Sequence, residues 1–306
     1  MTTLPATPNE RPVTTDDLLW QQLKSLPAFR ALLRAVEARF YPLIPLPEPT
    51  LDVGCGDGHF AAMTFPGRTL AAGIDPWWGP LHKAVQSGKY GLPIQALGDR
   101  LPFADGAFAS AFSNSVLEHI PDLSPVLAEV NRVLRPGARF VITTPSHLFT
   151  EYLGGAAFFE RLRLGGMAQR YRRLFNTISR HAHTDSPETW ATRLAEAGFA
   201  IERWQYYFSR GALRALEIGH AQGLPSAALH ALTGHWIVAP WESSLAPTER
   251  WVRPFYEEEA AQDGGAYLLF IVRKQASGPI TAELPPPRPL PVPRAATGPS
   301  PAVSTA

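Results

Sequence analysis

Between Leu51 and Thr144, short apolar runs that close on Gly or Asp alternate with segments whose apolar residues recur at helical spacing. A short apolar run bounded by turn residues predicts a strand, and recurrence at i, i+3, i+4 and i+7 predicts a helix. The alternation therefore predicts successive βαβ units and a parallel, doubly wound sheet. Its strands fall at Thr50–Val53, Thr69–Ile74, Pro93–Leu97, Ala107–Ser113 and Arg139–Thr143. The clearest helix precedes the fifth strand. Ser124 is its expected N-cap, Pro125 sits in its first turn, Val126, Leu127, Val130, Val133 and Leu134 share its apolar face, and Arg135-Pro136-Gly137 stops it.

After Thr144 the alternation breaks. An insertion at about 146–185 comes before a helix at Pro187–Ala197 and a strand at Ala200–Tyr206. A second, helical insertion at 209–263 precedes Ala266–Lys274, whose YLLFIV run reads as a buried final strand. Both insertions are expected over the carboxyl ends of the strands, the second as a cap. At the amino end Leu18, Leu19, Leu23 and Leu26, then Phe29, Leu32, Leu33, Val36 and Phe40 beyond Pro27, predict two short helices within a cover spanning residues 1–45. The core is expected over 46–208 and 264–275. Residues 276–306 read as a disordered tail, because Pro279 to Ala306 holds 9 of the chain's 31 prolines and few large apolar side chains to offset the entropy of ordering.

Composition narrows the function. Lys plus Arg is 28 against 27 for Asp plus Glu, so a net charge of +1 supplies no whole-protein field for a polyanion, and nucleic acid is disfavoured as a partner. Cys55 is the single cysteine, which excludes an internal disulfide and a zinc site built on several thiolates. The opening MTTLPATPNERPV lacks the order of a secretory signal, and no run of about 18 apolar residues occurs. The expectation is a cytoplasmic protein without a membrane span, with peripheral contact left open.

The most specific stretch is Leu51-Asp52-Val53-Gly54-Cys55-Gly56-Asp57-Gly58-His59-Phe60, a strand ending in an acid followed by alternating glycines. Such a turn lets a ligand touch bare backbone at the edge where open α/β sheets bind nucleotides and nucleosides. The dinucleotide fingerprint needs G-x-G-x-x-G, with a third glycine where His59 stands. Here the spacing is G-x-G-x-G, and Asp52 and Asp57 place carboxylates beside the loop, which repels a diphosphate and suits a cationic ligand.

On these residues the chain resembles the class I S-adenosylmethionine-dependent methyltransferases, in the subgroup with LDVGCGxG in the first loop. The resemblance covers Leu51 to Pro145 well and extends loosely to Lys274. It implies a Rossmann-like seven-stranded, mostly parallel sheet with helices on both faces, and S-adenosyl-L-methionine as cofactor. It implies that Asp52 and the Gly54, Cys55, Gly56 and Gly58 backbone face the methionine end and ribose. Asp75, ending LAAGID, accepts from the ribose hydroxyls, and Asp99 accepts from the adenine amino group with the Arg100 backbone N–H beside the ring. Pro76, Trp77, Leu101 and Ser113 complete the expected cofactor contacts. Asp105-Gly106-Ala107-Phe108 and Leu134-Arg135-Pro136-Gly137 fit later landmarks, although Ala109 replaces the acid that commonly follows the phenylalanine.

Transfer to a hydroxyl or protonated amine requires a base within hydrogen-bond reach. The candidates are His119, after the fourth strand in SNSVLEH, and His147, after the fifth. His181, His183 and Asp185 share metal-ligand spacing but lack a fourth partner, so no metal is assigned. His220 and His235 lie in the second insertion, a candidate acceptor-binding cap. Arg161, Arg163, Arg170, Arg172, Arg173 and Arg180 interleave with Leu162, Leu164, Tyr171, Leu174 and Phe175. That stretch reads as a solvated face paired with Glu160 and other acids, or as a basic amphipathic surface for a phosphorylated substrate, RNA or an anionic membrane. The sequence thus supports a methyltransferase with a small-molecule acceptor. A non-catalytic cofactor-binding module, an RNA methyltransferase and an NAD-dependent oxidoreductase are the alternatives.

Overall fold

The computed structural model describes residues 18–221, 223–259, 263–275 and 282–292. Its strands are β1 (Thr50–Val53), β2 (Leu70–Asp75), β3 (Tyr90–Gln95), β4 (Phe108–Asn114), β5 (Leu134–Pro145), β6 (Phe199–Tyr207) and β7 (Tyr267–Lys274). They form one seven-stranded sheet in the order β3-β2-β1-β4-β5-β7-β6. The pairs among β1 to β5 are parallel, and β7 runs antiparallel between β5 and β6. This is the Rossmann-like, mostly parallel sheet expected from the alternation of apolar runs.

Two boundaries differ from the sequence pattern. β3 begins at Tyr90, three residues early, because Leu70 pairs with Tyr90 and draws the exposed Gly91 and Leu92 into the ladder. β5 begins at Leu134, the last residue read as helical, and runs through the expected Arg135-Pro136-Gly137 stop, and a register shift between Phe108 and Ser110 lets β4 follow it.

The helices are α1 (Leu18–Leu23), α2 (Ala28–Ala38), α3 (His59–Thr64), α4 (Trp78–Ser87), α5 (Ser124–Val133), α6 (Gly154–Arg161), α7 (Gly165–Ser179), α8 (Pro187–Glu196), α9 (Arg210–Ala221), α10 (Gly223–Thr233) and α11 (Glu242–Tyr256). In α5 the expected cap does not form: Leu123 is the N-cap, and the Ser124 N–H donates to Asp122. The sheet buries both faces. On one, α5 and α8 press Val126, Leu127, Val130, Trp190 and Leu194 onto β1, β4, β5 and β7. On the other, α1 to α4 and α9 pack Leu19, Leu32, Ala61, Leu81 and Leu213 around Phe112 and Val141.

Residues 282–292, which fall in the segment whose composition reads as disordered, lie along the outer edge of β6. The Arg288 N–H donates to the Trp204 carbonyl at 2.9 Å, the Trp204 indole donates to the Pro285 carbonyl at 2.5 Å, and Leu290 is buried. A proline-rich chain is already extended, so it loses little entropy on docking, and β6 otherwise presents unpaired backbone. The remaining tail residues, 276–281 and 293–306, and the first 17 residues of the expected amino-terminal cover lie outside the described residues.

Candidate functional site

β1 pairs with β2 on one side and β4 on the other, so the chain direction across the sheet reverses at β1, and the turn after it opens into a crevice. Gly54, Gly56 and Gly58 have φ of 84°, 55° and 76°. Gly54 is required twice over. Its backbone is left-handed, and a Cβ there would lie 2.3 Å from Val116 of the segment following β4. At Gly56 a Cβ would meet nothing within 4 Å, so this part of the turn faces open space.

Asp75 fixes the turn. The Gly56 N–H donates to one carboxylate oxygen at 3.0 Å and the Trp77 N–H to the other at 2.9 Å. Each oxygen keeps a second lone pair for a ligand hydroxyl. Pro76 and Trp77 are exposed, Trp77 by 72%, on the rim of the crevice. Asp99 and Arg100 are exposed after β3, and the Arg100 N–H donates to the Leu97 carbonyl. Leu101 is buried, its N–H held by Glu129 at 2.8 Å.

The other expected contacts divide. Asp52 is buried and accepts from the Tyr90 hydroxyl at 2.7 Å; burial pushes its carboxyl up to about 7, against the Tyr90 bond. Burial also raises the Cys55 thiol, which removes it as a nucleophile at neutral pH. Ser113 departs from its expected place beside a cofactor. It is fully buried, and its hydroxyl donates to the Val53 carbonyl at 2.9 Å, bridging β4 to β1 inside the sheet. Strand alternation turns it away from the crevice.

Asp57 settles the chemistry of the helix start. The His59 N–H, first donor of α3, is bonded to Asp57 Oδ1 at 3.1 Å. A carboxylate therefore occupies the place where a dinucleotide fold receives its pyrophosphate, and α3 has only six residues.

Beyond β4 the chain is strained and anchored. Ser115 is a non-glycine residue at φ 51°, with its N–H held by Thr143. Its hydroxyl donates to Glu37 Oε1 at 2.6 Å, as does Tyr207 at 2.9 Å, while Arg34 and Asn114 donate to Oε2 at 2.9 and 2.7 Å. Glu37 is fully buried, so α2 is riveted to the carboxyl ends of β4 and β6 by a carboxylate with four donors. The sequence reading missed Glu37 and its donors. Its signal was a charged residue at 37, inside the apolar stripe of Leu33, Val36 and Phe40.

A cavity of about 200 Å³ opens between α2, this segment, the end of α7 and α9. Phe29, Leu33, Phe149, Leu216 and Tyr267 give it apolar walls, and Arg30, Arg34, Ser115, Glu118, His119, Ser179, His181 and His220 supply its polar groups. Burial raises the Glu118 carboxyl to about 8, and Oε2 of that group has no partner among the described residues. Burial lowers His181 to about 3, and its Nδ1 is likewise unpartnered. His119 is also lowered by burial, and its Nδ1 lies 3.0 Å from the Arg180 carbonyl. At neutral pH the cavity thus holds neutral imidazoles and a protonated acid beside the guanidinium groups of Arg30 and Arg34.

The structure separates the two histidines proposed as bases. His119 lines the cavity, whereas His147 does not; its ring lies 6.4 Å from that of Tyr206, and its Nδ1 has no partner among the described residues. His181 and His183 also diverge. His183 turns to Asp185 and the Pro121 carbonyl, while His181 packs on Phe149. A larger cavity, about 320 Å³, lies between α2, α11 and residues 289–292, and none of its lining residues comes from the loops after β1 to β5.

Comparison with known proteins agrees with this geometry. Residues 51–142 match the methyltransferase domain family. An uncharacterized methyltransferase of Mycolicibacterium paratuberculosis is 37% identical over 122 residues, 36% of this chain and 48% of that protein. One of Mycolicibacterium gilvum is 32% identical over 167 residues, 54% of this chain and 62% of that protein. The match thus spans about half the length of the curated relatives. An S-adenosylmethionine-dependent methyltransferase of Thermotoga maritima shares the fold with a TM-score of 0.50 at 15% identity, over 84% of this chain and all of that one.

Proposed function

We propose, for a chain that carries a class I S-adenosylmethionine-dependent methyltransferase domain over residues 51–142, that it transfers a methyl group from that cofactor to a small molecule seated in the cavity beyond β4. The observation that carries the cofactor reading is the Asp57 carboxylate on the first N–H of α3, which opposes a diphosphate and favours a ligand whose charge near the turn is positive. The residues present fit that group. The bare backbone at Gly56 gives it room, Asp75 offers lone pairs to ribose hydroxyls, and Asp99 stands free beyond β3.

When bound, S-adenosylmethionine supplies a methyl group on a positively charged sulfur, so the protein's work is positioning and exclusion of water. Val116, packed on Gly54, backs the turn, and its neighbour Ser115 lines the acceptor cavity. His119 handles the acceptor's proton. Its Nδ1 faces a carbonyl oxygen, which can only accept, so in the neutral ring Nδ1 carries the hydrogen and Nε2 the lone pair. Nε2 takes the proton of a hydroxyl placed in the cavity. Arg30 is exposed at the rim and has no ion pair among the described residues, and with neutral histidines around it the cavity disfavours an ammonium. The acceptor is a neutral or anionic hydroxyl compound with an apolar body.

Calorimetric titration of wild type and Asp75→Ala with S-adenosylmethionine, S-adenosylhomocysteine and NAD tests the cofactor reading. Wild type should bind the first two, and Asp75→Ala should bind them at least about tenfold more weakly, the equivalent of roughly 1.4 kcal/mol. Binding of NAD alone would overturn it. Mass spectrometry of phenol, alcohol and amine panels incubated with labelled cofactor then tests the acceptor class, and a product confined to amines would reject the hydroxyl assignment.

A further inference from the structure

Six large apolar side chains stand in solvent on α6, α7 and the link between them. Phe158, Leu162, Leu164, Met167, Leu174 and Ile178 are each between 43% and 58% exposed. Isolated exposed leucines are ordinary, but a cluster within 21 residues marks a surface that meets something. The spacing is ordered as well. On α7, Met167, Leu174 and Ile178 follow at seven and four residues, one stripe of a helix, and Phe158 on α6 stands one turn before Leu162, the residue that caps it. The stripe is not misplaced core, because the inward face of the hairpin already buries Ala156, Ala168 and Phe175.

Charge identifies the occupant. Residues 154–180 contain six arginines and a single acid, Glu160. Arg172 pairs with that acid at 2.6 Å, so the expectation of a paired, solvated face holds for it alone. Arg161, Arg163, Arg170 and Arg173 are exposed and have no ion pair among the described residues. Unpaired guanidinium groups beside an aliphatic stripe complement a surface that is anionic outside and hydrocarbon within. Single-stranded RNA is a poorer match. It stacks on aromatic rings, and five of the six exposed side chains here are aliphatic.

We propose that the α6–α7 hairpin seats this protein on an anionic phospholipid surface, with the aliphatic stripe in the boundary between headgroups and acyl chains and the four arginines on lipid phosphates. Among the described residues no helix is long and apolar enough to cross a membrane, so the contact lies in the interface. The docked element leads directly to the cavity beyond β4. Ser179, at the end of α7, and His181 both line it, and the Arg180 carbonyl holds His119.

Co-sedimentation of the full chain with phosphatidylcholine vesicles, with and without phosphatidylglycerol, tests the proposal without reference to catalysis. The chain should pellet with the anionic vesicles and stay largely in solution with the neutral ones. Phe158→Ser, Leu174→Ser and Ile178→Ser combined should weaken partition at least about tenfold. Arg161→Gln, Arg170→Gln and Arg173→Gln combined should weaken it further, since each arginine near such a surface contributes roughly fivefold. All six positions are exposed, so both variants should keep the fold, which circular dichroism checks. Equal partition of wild type and the serine variant would overturn the proposal. So would binding of oligouridine with vesicles ignored, or a lipid-free dimer, seen by sedimentation equilibrium, that the serine substitutions dissolve.

Discussion

The Nδ1 atom of His119 lies 3.0 Å from the carbonyl oxygen of Arg180, and that contact decides which nitrogen of the ring is the base. Replacing His119 with Gln keeps an N–H donor toward the carbonyl and removes the basic nitrogen. His119→Gln should therefore lower kcat by about 100-fold or more while leaving the affinity for S-adenosylhomocysteine unchanged. The acid limb of the wild-type pH profile should fall below the usual imidazole range, because burial, Arg34 on α2 and Arg180 all lower His119, against the Arg180 bond. Glu118 beside it is protonated at neutral pH, and the His181 ring 5.7 Å away is neutral. A profile without an acid limb, or a variant that retains kcat, would remove His119 from the reaction.

The first and second glycines of the turn should separate stability from binding. Gly54→Ala drives a Cβ into Val116 in a left-handed backbone, so it should cost at least about 2 kcal/mol in denaturant unfolding. Val116→Ala in the same chain should restore part of that loss. Gly56→Ala meets no atom within 4 Å and should cost only about 1 kcal/mol, yet its methyl group projects into the crevice and should weaken cofactor binding. Equal losses of stability in the two variants would show that the wall at Val116 is not what fixes the turn.

These two glycines mark how far the sequence carried. The strands from β1 to β5 were legible because each apolar run ends in turn residues and, β3 excepted, is followed by a helical pattern, which is local information. The glycine turn and Asp75 were legible for the same reason. The cavity was not. Glu37, Ser115, His119 and His181 converge from α2, the segments after β4 and α7, and nothing local announces which face of α2 meets the end of β4. Ser113 and Ser115 show the limit most sharply. They are two residues apart and chemically alike, but one hydroxyl bridges strands inside the sheet while the other anchors a strained turn at the cavity. His147 follows β5 as expected, and a packing choice after Ser146 sends its ring toward Tyr206 and away from the cavity. The docked residues 282–292 were hidden because a count of apolar side chains omits the backbone donors and acceptors offered by an edge strand.

That edge gives a third expectation. Ending the chain before residue 282 removes the bonds of Trp204 and Gln205 to Pro285, Arg288 and Leu290 and uncovers β6. The truncated protein should lose roughly 1–3 kcal/mol and scatter more light on warming, because an uncovered edge strand pairs with other chains. The near-ultraviolet signal of Trp204 should change as its indole loses the Pro285 carbonyl. Unchanged melting and scattering would mean that the segment contributes nothing to the edge it covers.

Glu118 provides a test of the cavity through stability alone. It is 2% exposed, and burial pushes its carboxyl up to about 8, with the Glu37 carboxylate adding to the rise and Arg34 opposing it. In the unfolded chain a glutamate ionises near pH 4.3, so between about 4 and 8 the folded protein holds a proton that the unfolded one has released. Stability from this group is complete below the unfolded value and is lost as pH rises through the folded one. The groups facing it are Arg34 and Glu37 from α2, His119 on its own turn, Tyr207 on β6 and Tyr267 on β7. Glu118→Gln is isosteric with the protonated acid and cannot ionise. Its unfolding free energy should match wild type below about pH 4, exceed it increasingly toward about pH 8, and hold that excess above it. Asp52, raised to about 7, and His181, lowered to about 3, tilt both curves equally, so the difference between the two proteins isolates Glu118. Parallel curves would mean that Glu118 is ionised in the folded state, and the cavity would then carry a negative charge that excludes an anionic acceptor and leaves only a neutral one.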